Sequence, residues 1–143
     1  MDYSKRIIIG RREWFSFPEL GIPWIQGKID TGARTSSLHA TRIETFWKGE
    51  DQWVRFRTVD RLDCEAQVIF EKKVRSSNGR YAYRFFIEVE AESLDGKKHV
   101  VLLSLTSRKK MKCPLLLGRR ALAPFLVDCK RSNLLGKHKT KRN

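Results

Sequence analysis

The chain has 143 residues, and 41% of them are hydrophobic. This is enough for one ordinary hydrophobic core and too little for two lobes that each have such a core. Thirty Lys and Arg against sixteen Asp and Glu give a net charge of +14, so we expect an acidic partner, either nucleic acid or an acidic polypeptide. Three widely spaced cysteines form no C-x-x-C pair, and Ile7-Ile8-Ile9 is too short for a signal peptide or membrane span, so the sequence predicts a reduced, cytoplasmic protein.

Short β-type runs separated by turn residues predict an all-β fold, an antiparallel sandwich or barrel. In residues 53–58, side chains alternate with a period of two, as in a half-buried strand. The predicted strands cover residues 5–14, 23–30, 37–47, 52–58, 63–74, 81–91 and 97–105.

Turn chemistry separates these strands, because Asn78-Gly79 and Asp95-Gly96 are dipeptides that close tight hairpins. The only helix expected is a short one near residues 119–123, ended by Pro124. The sequence predicts one domain over residues 1–136, followed by a basic, disordered tail over residues 137–143.

A short motif, Asp30-Thr31-Gly32-Ala33, follows the predicted strand 23–30 and enters a turn. A second segment, Leu115-Leu116-Leu117-Gly118, runs from apolar residues into Gly and the short helix. A D-T-G strand followed later by two apolar residues and Gly is the pairing of retropepsins, and the two segments stand in the expected order. The alternative interpretation of Asp30 is an aspartate that only caps a turn.

The chain resembles a retropepsin-like aspartic peptidase family of the DUF785 type, which carries the label ATP-dependent zinc protease and occurs beside RimK-type ligases. Those ligases add glutamate to a ribosomal protein. The resemblance lies in the segments 10–14, 18–23, 28–40 and 115–122.

The resemblance implies an acid-protease half-barrel, a symmetric homodimer, and endopeptidase action on glutamate-rich polypeptide, with a possible functional link to a RimK-type ligase. Asp30 would be the catalytic carboxylate, and a second copy would supply the other, because two carboxylates sharing a proton serve as base and acid. Thr31 would tie the two active-site loops together across the dimer axis. Gly32 would allow close backbone approach, and Ala33 fits the small fourth position of the motif.

Three arginines are candidate substrate-binding residues. Arg34 stands where retroviral members usually carry an acid, and its guanidinium could pair with a substrate carboxylate or within its own loop. Arg75 and Arg80 flank the turn of segment 74–81, which is either a flap that closes over substrate or an ordinary solvated hairpin.

Two other functions stay open at this point. A non-enzymatic basic module would bind RNA or ribosomes through its charge, although no known RNA-binding motif accompanies the basic run 108–112. A metallopeptidase would need zinc ligands, but His39, His99 and His138 lie in separate segments without an H-E-x-x-H motif. We therefore expect no metal site, no cofactor, no membrane contact and no dedicated nucleic-acid partner.

Overall fold

A computed structural model describes residues 3–75 and 78–138 of the chain. The all-β prediction is confirmed: twelve strands, one α-helix and two short 3-10 turns are present in this part of the chain. No helix among the described residues is long and apolar enough to cross a bilayer.

The twelve strands are distributed over three sheets. Their bounds are β1 Ile7–Ile9, β2 Arg12–Phe17, β3 Ile22–Ile29, β4 Ser36–His39, β5 Thr41–Lys48, β6 Asp51–Arg57, β7 Asp63–Gln67, β8 Phe70–Arg75, β9 Tyr81–Ser93, β10 Lys98–Thr106, β11 Leu115–Leu117 and β12 Phe125–Val127. The helix α1 spans Arg119–Leu122, as the sequence predicts.

The main sheet has the strand order β10-β4-β11-β3-β2-β9-β8, and β9 also pairs with β10, which closes the sheet into a barrel. Its interior holds the most deeply buried apolar side chains, among them Phe15, Leu38, Ile87, Leu103 and Leu115, none more than 2% exposed. Strands β5, β6 and β7 form a separate antiparallel sheet, and β1 pairs in parallel with β12.

Alternating side chains explain why the strands form where they do. In β6, Val54 and Phe56 are buried while Arg55 between them is exposed, which is the period of two expected of a half-buried strand. The predicted strand over residues 37–47 is wrong as a single element, because β4 joins the barrel and β5 joins the separate sheet. The chain passes from one sheet to the other at Ala40, and Arg42, which has a φ of 51°, lies in the irregular register between Thr41 and Glu44 at the start of β5.

Two other predicted strands are also divided. The segment 63–74 splits into β7 and β8, and the segment 5–14 breaks between β1 and β2. At Gly10 a Cβ atom would lie 2.4 Å from the carbonyl oxygen of Arg131, so only glycine permits this close approach. Strands β11 and β12 lie outside the predicted set, because three-residue runs carry almost no periodic signal.

The chain after β12 packs back onto β2 through a buried carboxylate. Glu13 is 0% exposed, and it accepts hydrogen bonds from the backbone N–H groups of Gly10 (2.7 Å), Leu134 (2.9 Å) and Leu135 (3.0 Å). The ring of His138 then lies 5.8 Å from that of Trp14. Residues 139–143, most of the predicted tail, lie outside the described residues.

Candidate active site

Asp30 lies at the end of β3, where the barrel wall gives way to a loop over residues 30–35. Its carboxylate is half-buried, and Oδ1 accepts a hydrogen bond of 2.9 Å from the backbone N–H of Gly32. A Cβ atom at position 32 would come within 3.2 Å of that same oxygen. Glycine therefore lets the backbone approach and hold the carboxylate, as the motif predicts.

The second motif segment forms the support of this loop. Strand β11 lies between β3 and β4, parallel to the first and antiparallel to the second. The backbone N–H of Asp30 donates to the carbonyl oxygen of Leu117 at 2.9 Å. The residues after β11 then donate in return, from Arg119 to the carbonyl oxygen of Ala33 at 2.8 Å and from Arg120 to that of Arg34 at 3.3 Å.

Gly118 is the point of closest contact between the two motif segments. A Cβ atom there would lie 2.5 Å from the carbonyl oxygen of Thr35 and 2.8 Å from that of Ala33. Its N–H donates to Oγ of Ser36 at 3.1 Å, and the carbonyl oxygen of Ser36 accepts from Oγ of Ser104. The apolar-apolar-Gly pattern is thus required by the packing of the Asp30 loop against β11.

The other loop residues face outward. Thr31 is exposed, and its carbonyl oxygen accepts a hydrogen bond of 3.2 Å from the Arg119 guanidinium. Among the described residues no hydrogen bond to the Thr31 hydroxyl is seen. Arg34 is also exposed, and Ala33 is partly buried. A surface with one carboxylate and an outward-facing threonine can accept a second copy of the same loop.

The flap candidates lie on the β8–β9 hairpin, away from the Asp30 loop in sequence. Arg75 and Arg80 are both exposed, and the Arg75 guanidinium lies 5.8 Å from the centre of the Tyr81 ring. Arg75 also lines a pocket of about 540 Å³ together with Arg42, Tyr83 and Arg84. Residues 76 and 77, within the predicted flap 74–81, lie outside the described residues.

A second group of cations, which the sequence analysis did not assign to the site, surrounds a pocket of about 510 Å³. We call it the basic pocket. It is lined by Arg11, Arg12, Lys28, Ile29, Arg108, Met111, Lys112 and Cys113. Ile29 immediately precedes Asp30, so the basic pocket opens beside the loop that carries the carboxylate.

The side chain of Arg108 is held by two hydrogen bonds. Its Nε donates to the carbonyl oxygen of Cys113 at 3.1 Å, and its guanidinium also donates to Oγ of Ser37 at 3.3 Å. Burial lowers the pKa of Arg108, whereas the nearby negative charge of Asp30 acts in the opposite direction. Arg108 therefore lies within electrostatic reach of Asp30.

His39 anchors the backbone of the same loop. Its Nδ1 accepts a hydrogen bond of 2.9 Å from the N–H of Arg108, so this nitrogen is unprotonated when the bond is made. Burial lowers the pKa of His39, and the charges of Arg108 and Lys109 lower it further. His39, the last residue of β4, thus holds the backbone of the loop that follows β10.

No group of three or more His, Cys, Asp or Glu side chains in residues 3–75 and 78–138 is arranged to hold a metal ion. Cys64 and Cys113 are buried, Cys129 is exposed, and all three are free thiols. Burial raises the pKa of Cys64 to about 11, so this thiol stays protonated near neutral pH.

Known proteins share this fold and much of this sequence. A Legionella pneumophila protein of unknown function, described as DUF785, superposes with a TM-score of 0.75 at 26% identity, covering 90% of this chain and 98% of its own. A Desulfotalea psychrophila protein named "Probable alpha-L-glutamate ligase" is 39% identical over 133 residues. A Shewanella halifaxensis protein of the same name is 39% identical over 141 residues.

The two ligase-named relatives are much longer than the present chain. The matched segments cover 88% and 93% of this chain but only 28% and 31% of those proteins. The RimB-like family, described as "Retropepsin-like aspartic endopeptidase RimB", matches residues 8–138, which include the Asp30 loop, β11 and the basic pocket. The chain therefore belongs to the RimB-like family of retropepsin-like proteins.

Proposed function

We propose that this protein is an aspartic endopeptidase that acts as a homodimer on acidic, glutamate-rich polypeptide. The observation that carries the proposal is the Asp30 loop, in which a half-exposed carboxylate is held by the N–H of Gly32 and supported by β11. A carboxylate that only capped a turn would not need a second, distant segment to fix its loop.

The chemistry needs two such carboxylates. In the proposed reaction, one ionised Asp30 removes a proton from a water molecule, whose oxygen attacks the carbonyl carbon of the scissile peptide bond. The protonated Asp30 of the partner subunit gives its proton to the carbonyl oxygen. The C–N bond then breaks as the first Asp30 gives its newly acquired proton to the nitrogen, which leaves as a free amine, while the partner subunit's Asp30 takes a proton back from a diol hydroxyl to leave the carboxylic acid.

A shared proton explains why the site must be symmetric. Two carboxylates about 3 Å apart cannot both be ionised, so one acts as the base while the other acts as the acid. Each chain has one D-T-G motif, and Thr31 beside Asp30 is exposed, which supports contact with a second loop. We propose that the Asp30 loop lies on the two-fold axis of the dimer.

The proposed substrate follows from charge and from the relatives. A net charge of +14 attracts acidic chains, and exposed Arg34, Arg75 and Arg80 can each hold a carboxylate through paired hydrogen bonds. Relatives named "Probable alpha-L-glutamate ligase" support a functional link between this domain and a ligase that makes glutamate chains. We propose that the peptidase shortens such chains.

Incubation of the purified protein with poly-α-glutamate, followed by measurement of chain length, tests the proposal. Asp30→Asn keeps the shape of the side chain but removes the base, so we expect hydrolysis to fall roughly 100-fold or more. Circular dichroism and thermal unfolding check that the fold is retained.

Asp51→Asn is the matched control, because Asp51 is an exposed aspartate on the separate β5–β6–β7 sheet. It should keep the parent rate. Turnover by Asp30→Asn within tenfold of the parent would contradict the assignment of Asp30.

A further inference from the structure

The basic pocket concentrates positive charge, and Asp30 lies within electrostatic reach of its Arg108. Five cations surround it, namely Arg11, Arg12, Lys28, Arg108 and Lys112, and its lining contains no carboxylate. The ion pairs of the described chain join other residues: Arg55 with Glu65, Arg57 with Asp63, Lys98 with Glu90, and Arg131 with Asp128. Like charges held together repel one another, so an anion that enters the pocket relieves this repulsion.

Arg108 is prepared for such an anion. A guanidinium has five N–H donors, and the bonds to the Cys113 carbonyl and the Ser37 hydroxyl occupy only some of them. These two bonds, and the bond from its backbone to His39, hold the side chain in place. A pre-positioned guanidinium loses less conformational entropy on binding than a free surface arginine does.

The position of the pocket indicates which anion it binds. Lys28 and Ile29, which line the pocket, are the last residues of β3 before Asp30, so the pocket adjoins the end of the strand that carries the carboxylate. A volume of about 510 Å³ is in the range of pockets that take small ligands or side chains. A peptide with an acidic side chain next to its scissile bond would bring an anion of suitable size close to Asp30 and the pocket.

We propose that the basic pocket is a subsite that selects an acidic side chain of the substrate next to the scissile bond, with Arg108 and Lys28 as its specificity-determining residues. This inference rests on the proposed peptidase function. The selecting charges of this subsite lie on the barrel wall and on the loop after β10, whereas the flap arginines lie on the β8–β9 hairpin.

The test compares peptides that carry Glu or the isosteric Gln next to the scissile bond. The ratio of kcat/KM for the Glu peptide to that for the Gln peptide is measured for the parent and for Arg108→Gln and Lys28→Gln. Because a charge-assisted hydrogen bond is worth about 1.5–3 kcal/mol, we expect Arg108→Gln to lower this ratio roughly tenfold or more. Lys28 is exposed, and no hydrogen bond of its side chain to the loop is seen among the described residues. Lys28→Gln should therefore lower the ratio less than Arg108→Gln does, but in the same direction.

Lys97→Gln is the matched control. Lys97 is an exposed cation at the β9–β10 turn, at the end of β10 opposite to Arg108. Its loss removes the same charge from the molecule and should leave the ratio unchanged. A ratio that falls equally in Lys97→Gln, or that stays at the parent value in both pocket variants, would overturn the subsite.

A binding measurement separates this inference from the peptidase proposal. Asp30→Asn is titrated with a fluorescent oligoglutamate, with and without the Arg108→Gln change, and we expect the second change to weaken binding roughly tenfold or more. If the parent cleaves no peptide but this loss of binding is found, the peptidase proposal fails and the anion subsite stands. If a single-stranded RNA oligonucleotide binds more tightly than oligoglutamate and depends on Arg108, the assignment to an acidic side chain is overturned.

Discussion

At the scale of single residues, His39 connects the chemistry of the site to pH. Its neutral Nδ1 accepts the N–H of Arg108, and protonation would replace this acceptor by a donor. Burial, Arg108 and Lys109 all lower the pKa of His39 below its ordinary value of 6.5. The folded protein therefore binds this proton more weakly than the unfolded chain does.

The sign of the pH effect follows directly. The contribution of His39 to the free energy of unfolding is fully present above pH 6.5 and is lost as the pH falls through 6.5 toward the lower pKa of the folded state. In urea titrations between about pH 7.5 and pH 5.5, His39→Asn should show a smaller loss of stability than the parent, because the Asn side-chain oxygen accepts but does not titrate.

His99 serves as the internal reference for this measurement. Burial lowers its pKa as well, against the opposing charge of Asp95, and it is present in both proteins. Equal pH slopes for the parent and for His39→Asn would show that the bond from Arg108 does not depend on the charge of His39.

At the scale of elements, the β8–β9 hairpin extends beyond the barrel. Residues 81–85 of β9 pair only with β8, whereas pairing with β10 begins at Phe86. A two-stranded hairpin is only marginally stable alone, so this part depends on its base, where Phe70 stacks on Phe86 at 4.4 Å.

The double change Arg75→Gln and Arg80→Gln tests whether this hairpin binds substrate. If the two guanidinium groups hold substrate and transition state alike, KM for an acidic peptide should rise about three- to tenfold, with a smaller change in kcat. Steady-state kinetics at two salt concentrations measures this, because the attraction of exposed charges weakens as salt rises. Unchanged KM for the acidic peptide would leave the hairpin arginines as surface charges only.

At the scale of the whole molecule, the proposed active unit is a pair of chains. Mixing parent and Asp30→Asn chains in equal amounts tests this without any change in total concentration. If subunits exchange freely and both carboxylates are required, only about one quarter of the dimers are active. Independent monomers would retain about half of the parent activity.

Sedimentation of the same mixture verifies that the chains are dimeric, and an activity that has become constant with time after mixing verifies that exchange is complete. In a fully exchanged dimer, a residual activity of about three quarters would show that one Asp30 suffices in the shared site, and about one half would show that each Asp30 acts independently; either result contradicts the shared-proton chemistry. If the activity per chain decreases on dilution, its dependence on protein concentration gives the dissociation constant of the dimer.

Local sequence patterns determined much of the secondary structure and the position of Asp30 at a strand end. Alternation in β6, the turn dipeptides and Pro124 predict strands, hairpins and the short helix, because these depend on neighbouring residues. The D-T-G motif and the later Leu-Leu-Gly segment also predict Asp30 at a strand end, since both are short patterns with restrictive steric needs. Gly118 shows the reason, as its close contacts with the Asp30 loop exclude every side chain.

Only the tertiary structure decided how distant residues meet. Arg11, Lys28 and Arg108 stand in three separate segments of the sequence, and each cation alone is typical of solvated surface. They surround one pocket because β2 pairs with β3 and because Arg108 is fixed to Ser37, Cys113 and His39. Strand pairing and long-range hydrogen bonds carry no local periodicity, so their effect appears only in the folded chain.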